Sequence, residues 1–406
     1  MIDAGMVIVG GGKAGARAAV AFRENGYGGR VTLVSDETLL PYDRPPLSKA
    51  SIVGETEPEP IYLLDDDMMK SLKVDFLGGA GATSIDRAAK TLSLSDGKAL
   101  SYDRLLIATG AAPRKLSTVG AERALILRDL SDAITIRNSF TAGKNIAVIG
   151  GGFIGLELAS SAVRRGCQVT VIEAQPRILM RGVPEDISKI ILARHEAAGN
   201  TILTGIGISH IDATSVVLAD GRKVAADIVI AGIGASPRVA LAEQAGLALD
   251  NGIACDTGMR TSDPHIFAVG DCCSFPHPIF GDTRMRLEAW RNASDQAVIA
   301  AENMLGGNRI YEAVPWFWSD QFDLTLQIAG MPSLGTSIVT RHLKDGAFIL
   351  CHLDGESRLV AASGIGQGNL IARDVRLLEM LIGKRAKPDV SVLSDGTSQL
   401  KALLKA

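Results

Sequence analysis

Cysteine is scarce in this chain. Five residues in 406, Cys167, Cys255, Cys272, Cys273 and Cys351, show no regular framework and no C-x-x-C spacing. That usage excludes a disulfide scaffold and suits a reducing cytoplasm. An excess of charge of either sign is also missing: charged residues make up 21%, apolar residues 47%, and the formal net charge is −3. The balance argues against non-specific nucleic-acid binding, which needs a strongly basic surface. No stretch approaches the ~20 uncharged apolar residues of a membrane span, so no membrane partner is expected. The first strand signal starts almost at Met1, which leaves no room for a signal peptide. None of the six histidines stands at metal-ligand spacing, and no metal is expected. No short-period repeat is visible. The length allows about two or three domains with sizeable cores.

What the chain does have is a duplicated glycine fingerprint. Gly10-Gly11-Gly12-Lys13-Ala14-Gly15 follows the apolar run Met6-Val7-Ile8-Val9, and Gly150-Gly151-Gly152-Phe153-Ile154-Gly155 follows Ile146-Ala147-Val148-Ile149. The G-x-G-x-x-G spacing lets a strand turn tightly, brings backbone close to a pyrophosphate and packs the next helix on the sheet. Phosphates are favoured at such helix starts by unpaired N–H groups and the helix dipole. One copy is weak evidence, because glycine-rich turns also arise for structural reasons. Two copies, each between a buried-strand and a helix signal, imply two adenine dinucleotides, a flavin and a nicotinamide.

The rest of the pattern supports this. A helix is predicted from about Lys13 to Glu24 and a strand from Arg30 to Ser35, with Gly26 as C-cap. Asp36 and Glu37 then stand near where an acid is wanted for the adenine ribose. Ser35 holds the place that Glu173 holds in the second unit, and which of the two acids meets the ribose stays open. Asp36 is taken as the candidate. Strands follow near Val74–Leu77, Thr91–Leu94 and Leu105–Ala108, with Asp96-Gly97 as a hairpin turn. The second unit has its helix over Ile154–Arg165, a strand from Gln168 to Ile172 ending in Glu173, and a closing strand Asp227–Ala231. Glu173 accepts ribose hydroxyls and repels a 2′-phosphate, so NADH is expected over NADPH. A strand Ile266–Val269 ends in Gly270-Asp271, a helix is predicted from about Leu287 to Met304, and from Pro315 an aromatic-rich α+β region begins. Asp271 alone reads as a turn residue or N-cap; behind two fingerprints it reads as a flavin contact.

With Val7–Gly15, Pro41–Lys49, Ala108–Gly110, Gly150–Glu157, Glu173, Ala268–Cys272 and Trp316–Gln321 in this order, the chain resembles the FAD- and NADH-dependent ferredoxin reductases of oxygenase systems. Tyr42-Asp43-Arg44-Pro45-Pro46-Leu47-Ser48-Lys49 is the most specific stretch. The resemblance implies an α/β fold: two Rossmann-like dinucleotide-binding domains in the glutathione-reductase-like arrangement plus a small α+β C-terminal domain. The expected FAD domain is discontinuous, residues 1–113 and 238–314. The NADH domain covers 114–237 and the C-terminal interface domain 315–406.

It also implies roles. FAD would be held by Gly10, Gly12 and Gly15, by Asp36, by Arg44 on its ADP half, by Asp271 on its ribitol chain, and by Arg128 as a further contact. NADH would be held by Gly150, Gly152, Gly155 and Glu173. Lys49 would lie close to the flavin's reactive nitrogen and pair with Glu157. Trp318 would stand near the flavin and nicotinamide, while Trp316 packs in the domain interior. The helix beginning near Leu287 would point its N-terminus at the flavin. The expected reaction is hydride transfer from NADH to FAD, then single electrons to a [2Fe-2S] ferredoxin supplying a terminal oxygenase, in the cytoplasm. Acidic ferredoxins want a basic docking patch, with Arg286, Arg291, Arg309 and Arg341 as candidates. The vicinal Cys272 and Cys273 are expected to be buried and inert, since adjacent cysteines form strained disulfides.

Disulfide reductases share the two-dinucleotide plan but carry a redox-active cysteine early in the FAD domain. Here Leu39–Ser51 has none, so the nucleophile for that chemistry is lacking. Two alternatives stand beside the main reading. One is an NADH oxidase or monodehydroascorbate-type reductase with a small-molecule acceptor. The other is an NADH-sensing flavoprotein resembling apoptosis-inducing factor.

Overall fold

The structure, a computed structural model, describes residues 2–404. The helices that matter below, in chain order, are Lys13–Glu24 (α1), Leu130–Ser139 (α2), Phe153–Arg164 (α3), Glu185–Ala197 (α4), Trp290–Met304 (α5) and Ala372–Gly383 (α6). The strands are Met6–Val9 (β1), Val31–Val34 (β2), Val74–Leu77 (β3), Arg104–Ile107 (β4), Ala124–Leu125 (β5), Asn145–Ile149 (β6), Gln168–Glu173 (β7) and Thr201–Thr204 (β8). They continue with Ile228–Ala231 (β9), Ile266–Ala268 (β10), Trp316–Gln321 (β11), Leu324–Gly330 (β12), Ser337–His342 (β13), Phe348–Leu353 (β14) and Leu359–Gln367 (β15). The chain forms two compact units. One comprises residues up to Asp43, Pro60–Ala112 and Ser236–Pro315; the other comprises Arg44–Glu59, Pro113–Ala235 and everything from Trp316 onward.

The first unit is built on a parallel sheet of order β10-β4-β1-β2-β3. Its central strand β1 is continuously apolar and buried along its whole length, as a strand covered on both faces must be. Helix α1 presents Ala14, Ala16, Ala18, Ala19 and Ala21 as buried positions. Such small side chains allow it to lie close to α5, against which it packs. Helix α5 starts at Trp290, not near Leu287: residues 286–289 form no regular element, and Ala289, the N-cap, has extended backbone.

The second unit contains an equivalent parallel sheet, β5-β9-β6-β7-β8. In each sheet the fingerprint strand, β1 or β6, lies between the strand that ends at the acid position and the strand that closes the unit. A five-stranded antiparallel sheet, β11-β12-β15-β14-β13, carries the C-terminal region, with α6 packed on β12 and β15. Residues 44–59 form a short 3-10 turn and helix that pack against α2 and α3. This turn lies in Tyr42–Lys49, the stretch most specific to the family resemblance.

Candidate functional site

The two fingerprints fold alike, for the same steric reasons. Gly10 and Gly150 sit at φ +124° and +108°, and a Cβ would lie 2.2 Å from the Ala108 carbonyl oxygen or 2.4 Å from that of Gly232. A Cβ at Gly15 or Gly155 would fall 1.9 or 2.1 Å from the carbonyl oxygen of Gly10 or Gly150. The middle glycines differ: a Cβ on Gly12 meets nothing within 4 Å, and one on Gly152 meets only Gly232 O at 3.9 Å. Turn and helix packing thus demand four of these glycines, while Gly12 and Gly152 border open space. No side chain caps α1 or α3. An uncapped helix start beside open space is the cradle that a dinucleotide pyrophosphate fits.

The acid positions are not alike. Glu173 ends β7 and turns back over the fingerprint: Oε2 accepts the Gly151 N–H at 2.6 Å and Oε1 the Gln175 N–H at 2.7 Å. A carboxylate has about four acceptor positions, so two remain for ribose hydroxyls. In the first unit Ser35 occupies this place, its Oγ lying 2.7 Å from where a Cβ on Gly11 would be. Asp36 is 58% exposed and pairs with Arg238 at 2.9 Å. Glu37 accepts the Tyr42 hydroxyl at 2.6 Å.

Asp271 is half-buried in the short turn Gly270–Cys272 after β10, and its carbonyl accepts Arg286 Nη1 at 3.2 Å. The Gly270 N–H donates to Gln296 Oε1 at 2.8 Å, tying the turn to α5. Gln296 Nε2 is buried with no acceptor among the described residues, a donor in keeping with a ligand at this turn.

In the second unit Arg44 Nη1 donates to the Arg128 carbonyl at 2.7 Å, so these two residues meet through backbone. Lys49 and Glu157 form an ion pair at 2.9 Å. Glu157 is 5% exposed, halfway along a helix otherwise lined with Leu, Ala and Ser. Its charge is tolerable because both oxygens are engaged: Oε2 accepts the Ser48 hydroxyl at 2.5 Å, and Oε1 the Ser319 hydroxyl at 2.6 Å besides Lys49. Ser48 and Ser319 escape sequence reading. A usable signal for Ser319 is its place two residues from Gln321 in a strand, which sends both side chains to one face.

Trp318 stacks on Trp316, ring centres 5.3 Å apart at 22°, and its Nε1 donates to Asp320 Oδ2 at 3.1 Å. Both tryptophans are half-buried, so Trp316 is not the interior residue expected. Between them Phe317 turns to the other face and meets Phe153 of α3 edge-on at 4.6 Å.

Two of the four expected docking arginines, Arg341 and Arg286, are enclosed, whereas Arg309 is 56% exposed and Arg291 is half-buried. Arg341 is 2% exposed, bound to Asp374 at 2.7 Å and to carbonyls of Val392, Leu393, Asp395, Gly396 and Ser398. It is a clamp on the C-terminal segment. Arg286 is 9% exposed and paired with Glu288, while Arg309 is paired with Glu302 at 3.0 Å. Cys272 and Cys273 are both buried; burial pushes the Cys272 thiol up to about 11, and the Cys255 contact with burial raises Cys273. None of the five cysteines is in a disulfide. No cluster of metal-ligating side chains occurs among the described residues. None of their helices is long and apolar enough to cross a membrane.

The family profile described as pyridine nucleotide-disulphide oxidoreductase matches residues 5–297, which hold both fingerprints. The chain belongs to that family. A second profile, described as reductase C-terminal, matches residues 316–404, the antiparallel sheet and the helical segments after it. Among similar members of the pyridine nucleotide-disulphide oxidoreductases is putidaredoxin reductase of Pseudomonas putida, 37% identical over 99% of this chain and 97% of the relative. Another is the ferredoxin–NAD(+) reductase component of the anthranilate 1,2-dioxygenase system of Burkholderia cepacia, 36% identical over 98% of each chain. Of solved structures, the reductase in the covalent putidaredoxin reductase–putidaredoxin complex superposes with a TM-score of 0.93 at 35% identity, covering 100% of this chain and 99% of that one.

Proposed function

We propose that the protein is an NADH-dependent, FAD-containing ferredoxin reductase that delivers single electrons to a [2Fe-2S] ferredoxin serving a terminal oxygenase. The observation that carries this reading is likeness over essentially the whole length to a reductase crystallised in a covalent complex with putidaredoxin, C-terminal region included. Two cradled fingerprints supply sites for the two cofactors. When bound, the flavin accepts a hydride from the nicotinamide and returns its electrons one at a time, chemistry that belongs to the cofactors.

The chain's own part is binding, alignment and electrostatics. Gly10, Gly12 and Gly15 with the start of α1 would hold the FAD pyrophosphate, Asp36 the adenine ribose and Arg44 the ADP half, with Arg128 a further FAD contact. Asp271 would bond the ribitol chain. Gly150, Gly152 and Gly155 with the start of α3 would hold the NADH pyrophosphate, and Glu173 its adenine ribose. Lys49, held by Glu157, would set positive charge at the reacting edge of the flavin, and Trp318 would border the nicotinamide. In this reading residues 1–113 with 238–314 are the FAD domain, 114–237 the NADH domain and 315–406 the interface domain. The protein works in the cytoplasm, in keeping with five unpaired cysteines.

The test is NADH-driven cytochrome c reduction by the yellow holoprotein with and without a [2Fe-2S] ferredoxin. A large ferredoxin-dependent stimulation is expected. If NADH bleaches the flavin but several ferredoxins give no stimulation, the proposal fails in favour of a small-molecule acceptor or a redox switch.

A further inference from the structure

Glu157 is not an isolated buried carboxylate. Ser319, which donates to it, itself accepts from Gln321 Nε2 at 3.3 Å. Gln321 Oε1 bonds His195 Nε2 at 2.8 Å, and His195 Nδ1 bonds Asn200 Nδ2 at 3.0 Å. All five residues are buried. They come from four places in the sequence: α3 supplies Glu157, α4 His195, the turn after α4 Asn200, and β11 the two alternate residues Ser319 and Gln321.

The direction of every bond in this chain is set by its ends. An amide oxygen only accepts, so Gln321 Oε1 requires a proton on His195 Nε2. An amide nitrogen only donates, so Asn200 Nδ2 requires a bare His195 Nδ1. The neutral Nε2–H tautomer satisfies both. Burial supports that state, lowering the imidazole to about 4 and keeping it uncharged near neutral pH. With the tautomer set, Asn200 donates to His195, His195 to Gln321, Gln321 to Ser319, and Ser319 to the Glu157 carboxylate. Every donor points the same way. Aligned bonds polarise one another, and such an array stabilises negative charge at its accepting end.

We infer that Ser319, Gln321 and His195 are positioning residues that hold Glu157 as an oriented carboxylate and, through it, fix the Lys49 ammonium. The chain's function at the flavin rests on the reductase reading above; its direction does not. Charged groups near it are Lys49 at the carboxylate end and, beside His195, the Arg194–Asp323 pair at 2.5 Å. A simple packing role would need neither a unique tautomer nor an unbroken order of donors.

Two measurements on the holoprotein test this. First, nitrogen-15 NMR of labelled histidine should show His195 as the Nε2–H tautomer between pH 6 and 8. A proton on Nδ1 or an imidazolium would reverse the donor order and overturn the inference. Second, stopped-flow reduction of the flavin by NADH separates the limiting rate from the NADH dissociation constant. Losing a hydrogen bond to a charged group costs about tenfold or more in an equilibrium. S319A should therefore lower the limiting rate by about tenfold, and H195M, one link further out, by about threefold. The dissociation constant should hold. The conservative variants S319T and H195Q, which retain a donor, should restore most of the rate. Unchanged rates in S319A and H195M, or equal loss in the donor-retaining pair, would overturn the positioning role. If wild-type flavin is not reduced by NADH at all, the functional reading falls, and the tautomer result still decides the order of the chain.

Discussion

Removing the charge of Glu173 by E173Q tests the nicotinamide preference directly. The carboxylate stands over the second fingerprint because two backbone N–H groups, from Gly151 and Gln175, hold one oxygen each. A 2′-phosphate arriving there brings negative charge to within a few ångströms of it. Two unit charges about 4 Å apart interact by about 4 kcal/mol at an effective dielectric of about 20. Glu173 is half-buried, and ions reach it. Halving the figure for screening leaves about 2 kcal/mol, or about thirtyfold in kcat/KM in favour of NADH. E173Q should bring the ratio to within about threefold. It keeps one backbone contact and turns an amide NH2 toward the other N–H, so a loss of about 1 kcal/mol in stability is also expected. The assay is flavin reduction by NADH and NADPH for both proteins between about 0.01 and 1 M salt, over which the screening length falls from about 30 to 3 Å. Wild-type discrimination should shrink with salt and that of E173Q should not move. Equal wild-type efficiencies, or an E173Q ratio like the wild type's, would refute the reasoning.

Other perturbations separate binding from folding. G152A places a Cβ in open space, so the protein should melt normally while its NADH dissociation constant rises about tenfold; G155A, with its Cβ 2.1 Å from the Gly150 oxygen, should lose stability outright. A normal melting curve for G155A would contradict the packing argument. R341M leaves Asp374 and five carbonyls without their cation, which should cost about 3–5 kcal/mol and expose residues 390–398 to hydrogen exchange. Unchanged exchange there would show that the clamp holds nothing. His195 and His352 are both lowered to about 4 by burial, below their unfolded value of about 6.5. Their stabilisation is complete above pH 6.5 and is lost as the pH falls toward 4, by up to about 1.4 kcal/mol per pH unit for each. Urea midpoints at pH 7.5, 6 and 5 should fall accordingly, and a flat series would contradict it.

The fold was legible where glycine spacing and apolar runs speak directly. The limits of α1 are as predicted, and α3 and β7 lie within a residue of expectation, because tight turns bracket them. The start of α5 was misplaced since Leu287, Glu288 and Ala289 are acceptable helix formers that tertiary context keeps out of the helix. The ion pair of Lys49 with Glu157 was expected from family likeness, whereas its serine partners were not. Serine has no periodic signature, and its value lies in a contact between residues 48, 157 and 319, which no local pattern encodes. Arg341 misled for a related reason. A lone arginine in a β-strand reads as a surface charge, and only the folded-back residues 390–398 reveal that it is enclosed. His195 did carry a hint, falling in the row Ile187, Ile191, His195 on the buried face of α4.

Helix α3 serves three neighbours within twelve residues: its first turn borders the second glycine cradle, its middle carries Glu157, and it meets β11 through Phe153 and the residue after β11, Phe322, through Ser160 and Arg164. A register slip of one residue would rotate it by about 100° and break all three relations at once. For protein engineering this means that the nicotinamide module is not portable by itself. A chimera exchanging residues 114–237 between relatives would carry the helix away from its own strand. Exchanges that move α3 and β11 together should yield working hybrids, and those that separate them should fail even when every cofactor contact is preserved.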